Sequence, residues 1–374
     1  MFSVMLLSFG CYEKEDPHTQ EVPVEDDVGS VEIPYDGIDN DGDPSTPDDD
    51  LDGDGYNHDE DCNDEDESVS PDASEDPYDG VDNDCDPSTP DDDLDGDGYN
   101  HDEECDDEDP TLQEPSQFWE GDLDWTVDTE SLCKSGESLH VNGDLNIVET
   151  EAVELTALSC LCMVSNAINI SGNSSLTSLT GLEGLTTAND ALTITDNPLL
   201  TSLSGLDYIE LADDDLTISG NNSLVNLSGL DRLKRVSESA YITDNPSLID
   251  MTGLGRLTQV SEDFTISNND SLSSMLGFGS DKMSFEQLWI RDNPSLIDLS
   301  GLEGLTRIGE NISISRNSAL TSLQALSSLT RVNDDFTIEV NTALLTSEAE
   351  WLIYESLGTS NVGGVIYISG NAED

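Results

Sequence analysis

The 374-residue chain is almost devoid of basic side chains, with 11 Lys and Arg against 83 Asp and Glu and a formal net charge of −72. A phosphate backbone needs a cationic surface, so nucleic-acid binding is excluded. Direct docking on anionic lipid headgroups is excluded by the same balance. Aromatic residues are scarce at 5%. The apolar run before Cys11 is about ten residues, too short to cross a bilayer as a helix. No cysteine lies beyond Cys162, so the long C-terminal part must hold itself together without disulfides. Histidine is nearly absent too: His140 is the only one near the C-terminal repeats. No Ser-His-Asp set, glycine-rich phosphate loop or zinc spacing appears, so enzymatic activity is not expected.

What charge there is lies unevenly. Residues 1–120 hold 45 of the acids and one base, Lys14. That third cannot bury an ordinary core, whereas the remainder has apolar residues enough to try. Residues 1–11 end in Phe9-Gly10-Cys11, and the polar stretch Tyr12 to Val31 follows. An apolar segment, a small residue, a cysteine and a polar tether resemble a bacterial lipoprotein signal. The resemblance implies lipidation of Cys11 and a cell-surface or outer-membrane location. An ordinary secretory signal is the alternative. Residues 12–33 then read as a disordered acidic tether. The six remaining cysteines, Cys62, Cys85, Cys105, Cys133, Cys160 and Cys162, suit disulfides in an exported protein, with fifteen pairings open.

Residues 34–115 form a tandem acidic repeat with an offset of 43. The text from Pro34 recurs from Pro77, with Gly42 replaced by Cys85. Within it Asp50, Asp52 and Asp54 stand at positions 1, 3 and 5 of a twelve-residue loop. Gly55 follows at 6, Tyr56 offers a carbonyl at 7, and Asp61 falls at 12. The second copy supplies Asp93, Asp95, Asp97, Tyr99 and Glu104. Hard oxygens at this spacing, with a glycine at the sharp turn, are the ligand pattern of an EF-hand-type calcium loop. No helical flanks surround the loops, so true EF-hands are not expected. Carboxylates 4–5 Å apart repel by about 1 kcal/mol per pair even in water. A divalent ion would therefore order this region.

The pieces Asp-Gly-Asp-Gly-Tyr, Asp61-Cys62-Asn63-Asp64 and Asp79-Gly-Val-Asp-Asn-Asp-Cys85-Asp resemble thrombospondin type 3 repeats. They resemble more closely the MopE-type metal-binding repeats of bacterial surface proteins. The resemblance implies carboxylates wrapped on calcium and turns stapled by disulfides, with Cys62 and Cys85 the favoured pair. Copper would rest on His58 and His101 alone, so calcium is the expected ion.

From Ala157 to Glu348 the chain repeats every 24 residues, eight times, without insertion. Turn position 14 is always Ile, from Ile170 to Ile338. Position 17 is always Asn, from Asn173 to Asn341, and position 20 is always Leu. Such a period means stacked units that cannot bury their apolar face alone. Apolar residues at 12 and 14 between polar neighbours predict a short parallel strand in each turn. The Asn column predicts a buried ladder, since an unpaired buried amide is costly. The pattern Leu-x-Ile-x-x-Asn-x-x-Leu-x-x-Leu-x-Gly-Leu resembles the receptor L domain. That implies a mainly β, right-handed parallel β-solenoid over residues 116–374, capped at both ends, with an extracellular binding surface. Cys133 is expected to close onto Cys160 or Cys162.

Two outward features are candidates for function. Position 10 is acidic in seven successive turns, including Asp214, Glu238 and Glu262. It reads first as a solvated edge. The outward strand positions are mostly Ser or Thr, but Tyr241, Trp289 and Arg291 interrupt them, and a Trp beside an Arg suits a sugar ring or protein anchor. The chain thus reads as a non-enzymatic surface lipoprotein, with a calcium-rigidified stalk presenting a solenoid to an unidentified extracellular protein or glycan. The membrane enters only through the lipid anchor. The alternatives are a metal-sequestering surface protein and a polysaccharide-active β-helix enzyme.

Overall fold

The computed structural model describes residues 55–57, 61–63, 66, 69–73, 81–86, 115–125, 132–133, 137–279 and 282–373. They fall into two compact units, one of them within residues 1–88 and the other the long C-terminal part. The expected loop ligands Asp50, Asp52, Asp54, Asp93, Asp95, Asp97, Tyr99 and Glu104, and the lipidation candidate Cys11, lie outside the described residues.

The C-terminal unit is a parallel β-solenoid. Its main sheet has 16 strands, and every pairing in it is parallel. Leu192–Thr195, Leu216–Ser219 and Ala240–Thr243 stack in register, so that Ile194, Ile218 and Ile242 share one inward column. Both inward positions, 12 and 14, are fully buried in these turns, whereas Thr193 and Thr217 between them face out. This is the expected 24-residue coil with its two-residue alternation. A second, shorter strip of strands forms at positions 7 and 8: Thr187–Ala188, Leu211–Ala212 and Arg235–Val236. It is too short to show as an alternation in sequence.

Between strands the chain turns by threes. The amide of Leu200 bonds to Asn197 O, that of Leu206 to Leu203 O, and that of Ile209 to Leu206 O, all at 3.1 Å. Leucine at every third residue therefore points to the same interior with each tight turn. Gly205 stands where two such turns meet, at φ +116°, and a Cβ there would lie 2.3 Å from the Leu179 carbonyl oxygen. Two turns have alanine at this place, Ala157 and Ala325. There the chain takes 3₁₀ turns instead, at Thr156–Leu158 and Gln324–Ser328.

The asparagine ladder forms as the sequence predicts. Asn197 Oδ1 accepts the backbone N–H of Asn173 at 3.2 Å, and its Nδ2 donates to the Ile170 carbonyl at 2.9 Å. The same pair of bonds recurs to Asn341 and then to Asn371. At the other end Thr150 donates both its amide and its hydroxyl to Asn173 Oδ1. Each coil also turns through a left-handed residue just before the Asn: Gly172, Asp196, Gly220, Asp244, Asn268, Asp292, Arg316 and Val340.

One turn departs from the pattern. Asp281 and Ser284 occupy positions that are apolar elsewhere. Met283 and Phe285 are buried instead, two places and one place further on, and register shifts with the neighbouring strands absorb the difference. Phe285 packs edge-on against Phe264, with ring centroids 5.1 Å apart.

Both ends differ from the middle. A strand at Leu123–Asp124 pairs with Leu145–Val148, adding a turn before the expected first one. Cys133 is joined to Cys160. At the far end a helix, Thr346–Trp351, runs on into a wider helical turn, Leu352–Leu357, and buries Leu352, Ile353 and Leu357 over the core. The last strand is Ile366–Ser369. Val365, just before it, is 59% exposed.

Candidate metal centre

In the N-terminal unit the described residues gather around one carboxylate. Asp61 N–H bonds to Asn57 O at 2.9 Å. Only 7% of Asp61 is exposed. Its Oδ1 accepts the Asn63 amide at 2.9 Å, whereas Oδ2 is buried with no hydrogen-bond partner. An orphaned buried carboxylate oxygen is costly unless a cation meets it.

Two sulfurs lie against it. Cys62 and Cys85 form a disulfide, with Cα atoms 5.7 Å apart, as the repeat resemblance implied. Cys85 Sγ sits 3.9 Å from Asp61 Oδ1. The backbone amide of Cys62 points at Cys85 Sγ from 3.2 Å, and Cys62 Sγ lies 3.3 Å from the Asp82 carbonyl. One potential ligand atom from each of Asp61, Cys62 and Cys85 falls within 4.8 Å of the others. The second segment, 81–86, is anchored by the Ser70 amide on Asn83 O at 2.8 Å, with Asn83 and Ser70 both buried. The centre is therefore built across the junction of the two repeats, from the end of one and the start of the next. Tyr56, expected to offer a carbonyl, is half-buried, five residues before Asp61 in sequence.

Comparison with known families bears on this same segment. Residues 29–47 and 61–91 match the Cu-binding MopE metal-binding motif. The second stretch contains Asp61, Cys62 and Cys85. The resemblance to MopE-type repeats thus holds for these two stretches. No curated protein and no solved structure matches the chain.

These findings overturn the calcium expectation. The matched motif is of copper-binding type, and the described donors are one carboxylate with two sulfurs. Calcium requires six to eight oxygens and gains nothing from sulfur, whereas copper accepts a small mixed set. Spacing of the acids pointed to calcium because it counted oxygens along the chain and took the cysteine beside Asp61 only as a disulfide staple.

On the solenoid, Tyr241 pairs with Thr265 and Thr265 with Trp289, so the two aromatic residues share an outward column two strands apart. Both are half-buried, and the Trp289 indole N–H donates to Asp263 Oδ1 at 3.3 Å. Arg291 is exposed on the same face, flanked by Ser267 and Ser315. Thr265, Ser267, Ser313 and Ser315 face outward yet are buried, because these larger neighbours cover them.

The acidic column is also in place. Asp214, Asp215 and Glu238 bring carboxylate oxygens within 4.8 Å of one another. Glu238 is held above the ordinary carboxylate range, first by its hydrogen bond with Asp214 and then by Asp214's charge. Backbone bonds hold the column together regardless: Glu262 N–H bonds to Glu238 O, and Glu310 N–H to Glu286 O. Nearby ion pairs run elsewhere, from Arg232 and Lys234 to Glu210. Among the described residues no helix is long and apolar enough to cross a membrane.

Proposed function

We propose that this chain is an exported, non-enzymatic metal-binding protein of copper type, in which the acidic repeat takes up the metal and the solenoid is its rigid carrier. One observation carries the reading: the matched segment 61–91 encloses the buried Asp61 carboxylate, whose Oδ2 has no partner and whose Oδ1 lies 3.9 Å from Cys85 Sγ. Asp61 would serve as the anionic anchor, with Cys62 and Cys85 as the sulfur side of the site. The disulfides Cys62–Cys85 and Cys133–Cys160 favour an oxidising compartment. The resemblance of residues 1–11 to a lipoprotein signal supports a cell-surface location, with Cys11 as anchor. A metal-sequestering role follows more directly than adhesion.

A second reading concerns the solenoid alone. Its receptor L-like pattern and the Tyr241, Trp289 and Arg291 face support recognition of an extracellular protein or glycan. The two readings are compatible, since they use different units.

Equilibrium dialysis of the full chain against copper with calcium in large excess tests the main reading. Copper should be retained, and Asp61→Asn should retain less. Displacement of copper by calcium, or no copper uptake, would overturn it.

A further inference from the structure

The copper-type reading leaves one chemical problem. As a disulfide, Cys62 and Cys85 carry no charge and are weak donors, so Asp61 is the only anionic ligand in the described centre. The geometry points to a resolution. We propose that the centre is a latent dithiolate site for monovalent copper, opened by reduction of the Cys62–Cys85 disulfide. The inference rests on the copper-type reading and specifies the oxidation state of both metal and ligand.

The surroundings of the two sulfurs differ in a way that directs this chemistry. Cys62 is exposed and Cys85 half-buried, so an incoming thiolate meets Cys62 Sγ first. Attack there forms a mixed disulfide at Cys62 and expels Cys85 as thiolate. The Cys62 amide, aimed at Cys85 Sγ from 3.2 Å, stabilises that leaving group. A second thiol then releases Cys62. In total, two external thiols give up two electrons and two protons and leave joined as a disulfide, while the protein gains two thiols. The new Cys62 thiol has the Asp82 carbonyl as acceptor at 3.3 Å.

The reduced centre is then primed for a cation. A Cys85 thiolate would stand about 4 Å from the Asp61 carboxylate, a like-charge pair that repels in a partly buried place. Binding one monovalent copper ion releases the thiol protons to solvent and replaces that repulsion with attraction. Two thiolates suit a soft ion such as monovalent copper and are poor ligands for calcium or magnesium. The orphaned Asp61 Oδ2 is the third group that gains a partner. The disulfide thus protects the two sulfurs from wrong metals and from further oxidation until a thiol reductant arrives.

The test uses the full chain under anaerobic conditions, either oxidised or reduced with excess dithiothreitol and desalted. Monovalent copper is supplied from a bicinchoninate buffer. Because reduction also opens Cys133–Cys160, the comparison is with the Cys62→Ser/Cys85→Ser variant treated identically. The reduced wild type should bind one more copper equivalent than this variant, with additional thiolate-to-copper ultraviolet absorption. The oxidised wild type should lack that equivalent. Asp61→Asn keeps both sulfurs and should weaken the extra equivalent by at least about tenfold. Equal stoichiometry and spectra in wild type and the serine variant would overturn the inference, as would equal binding by oxidised protein. In those cases copper retention still supports the broader reading. No copper in any form would overturn both.

Discussion

Asn245 Oδ1 accepts the backbone N–H of Asn221 at 3.0 Å while its Nδ2 donates to the Ile218 carbonyl at 2.9 Å, so one side chain satisfies two buried backbone groups of the preceding turn. Asn245→Ala would leave both unpaired. Each costs roughly 1–3 kcal/mol when buried, so the variant should lose about 2–5 kcal/mol in a denaturant titration. Asn371→Ala should lose clearly less, because Asn371 is half-buried and water can replace it. Equal losses at the two positions would mean that the ladder's contribution does not come from burial.

Gly229→Ala should be strongly destabilising. Its φ is +112°, and the added Cβ would lie 2.2 Å from the backbone of Leu203, which has no room to yield. Left-handed strain alone costs about 1–2 kcal/mol, and the clash adds to it. The reverse change, Ala325→Gly, should leave stability nearly unchanged, because the 3₁₀ turn there asks for no positive φ. Thermal melts of the two variants decide the matter.

These positions show what the sequence makes legible. The period, the inward Ile column and the Asn ladder are readable because each is a strict repeat with one physical cause. The second strip of strands, such as Leu211–Ala212, is two residues long and leaves no alternation to detect. The slip at Met283 and Phe285 follows from Asp281 and Ser284, and a fixed 24-residue frame hides it. At the metal centre the Cys62–Cys85 pair was legible through family resemblance. Asp61 was read as one oxygen among many, since burial and the loss of a partner for Oδ2 emerge only when residues 57, 63 and 85 converge in space.

Among the described residues at left-handed φ, Val340, at +57°, is the one that is β-branched. The neighbouring coils use Asp, Asn, Gly or Arg there, and Val is the costliest of these. It is 42% exposed, so little burial is lost on replacing it. Val340→Asn should therefore stabilise the solenoid by about 1 kcal/mol. A lower melting temperature for this variant would show that Val340 makes a packing contribution larger than its strain.

Two carboxylates give opposite pH signatures. Asp292 is held below its ordinary range by its hydrogen bonds to Arg316 Nε and Nη2, at 2.7 and 2.8 Å. A depressed value stabilises above the unfolded pKa, and that stability is lost as pH falls through the folded value. Glu238 is raised by Asp214, so the folded state binds its proton more readily than the unfolded chain does. Its ionised form opposes folding at neutral pH, and the penalty eases as pH falls through the raised value. Glu238→Gln should therefore raise the melting temperature at pH 7 and have little effect at pH 4. Arg316→Ala should do the reverse, lowering stability at pH 7 by at most about 1 kcal/mol because the pair is largely exposed. A pH-independent effect of either change would refute the assignment.

Asp61→Asn should change sign with the metal. In metal-free protein the substitution keeps an oxygen for the Asn63 amide and removes a buried negative charge whose second oxygen has no partner. Amides around residues 61–63 should then exchange with solvent no faster than in the wild type, and more slowly if the charge strains the turn. With copper present the order should invert. The wild type gains protection through ligation, by an amount that grows with the ratio of free copper to its dissociation constant. The variant gains less, because its anionic anchor is gone. Hydrogen exchange with and without copper reads both halves in one protein pair. Faster exchange of the variant in the absence of metal would mean that Asp61 is a structural carboxylate with a partner of its own, and the centre would lose its anchor.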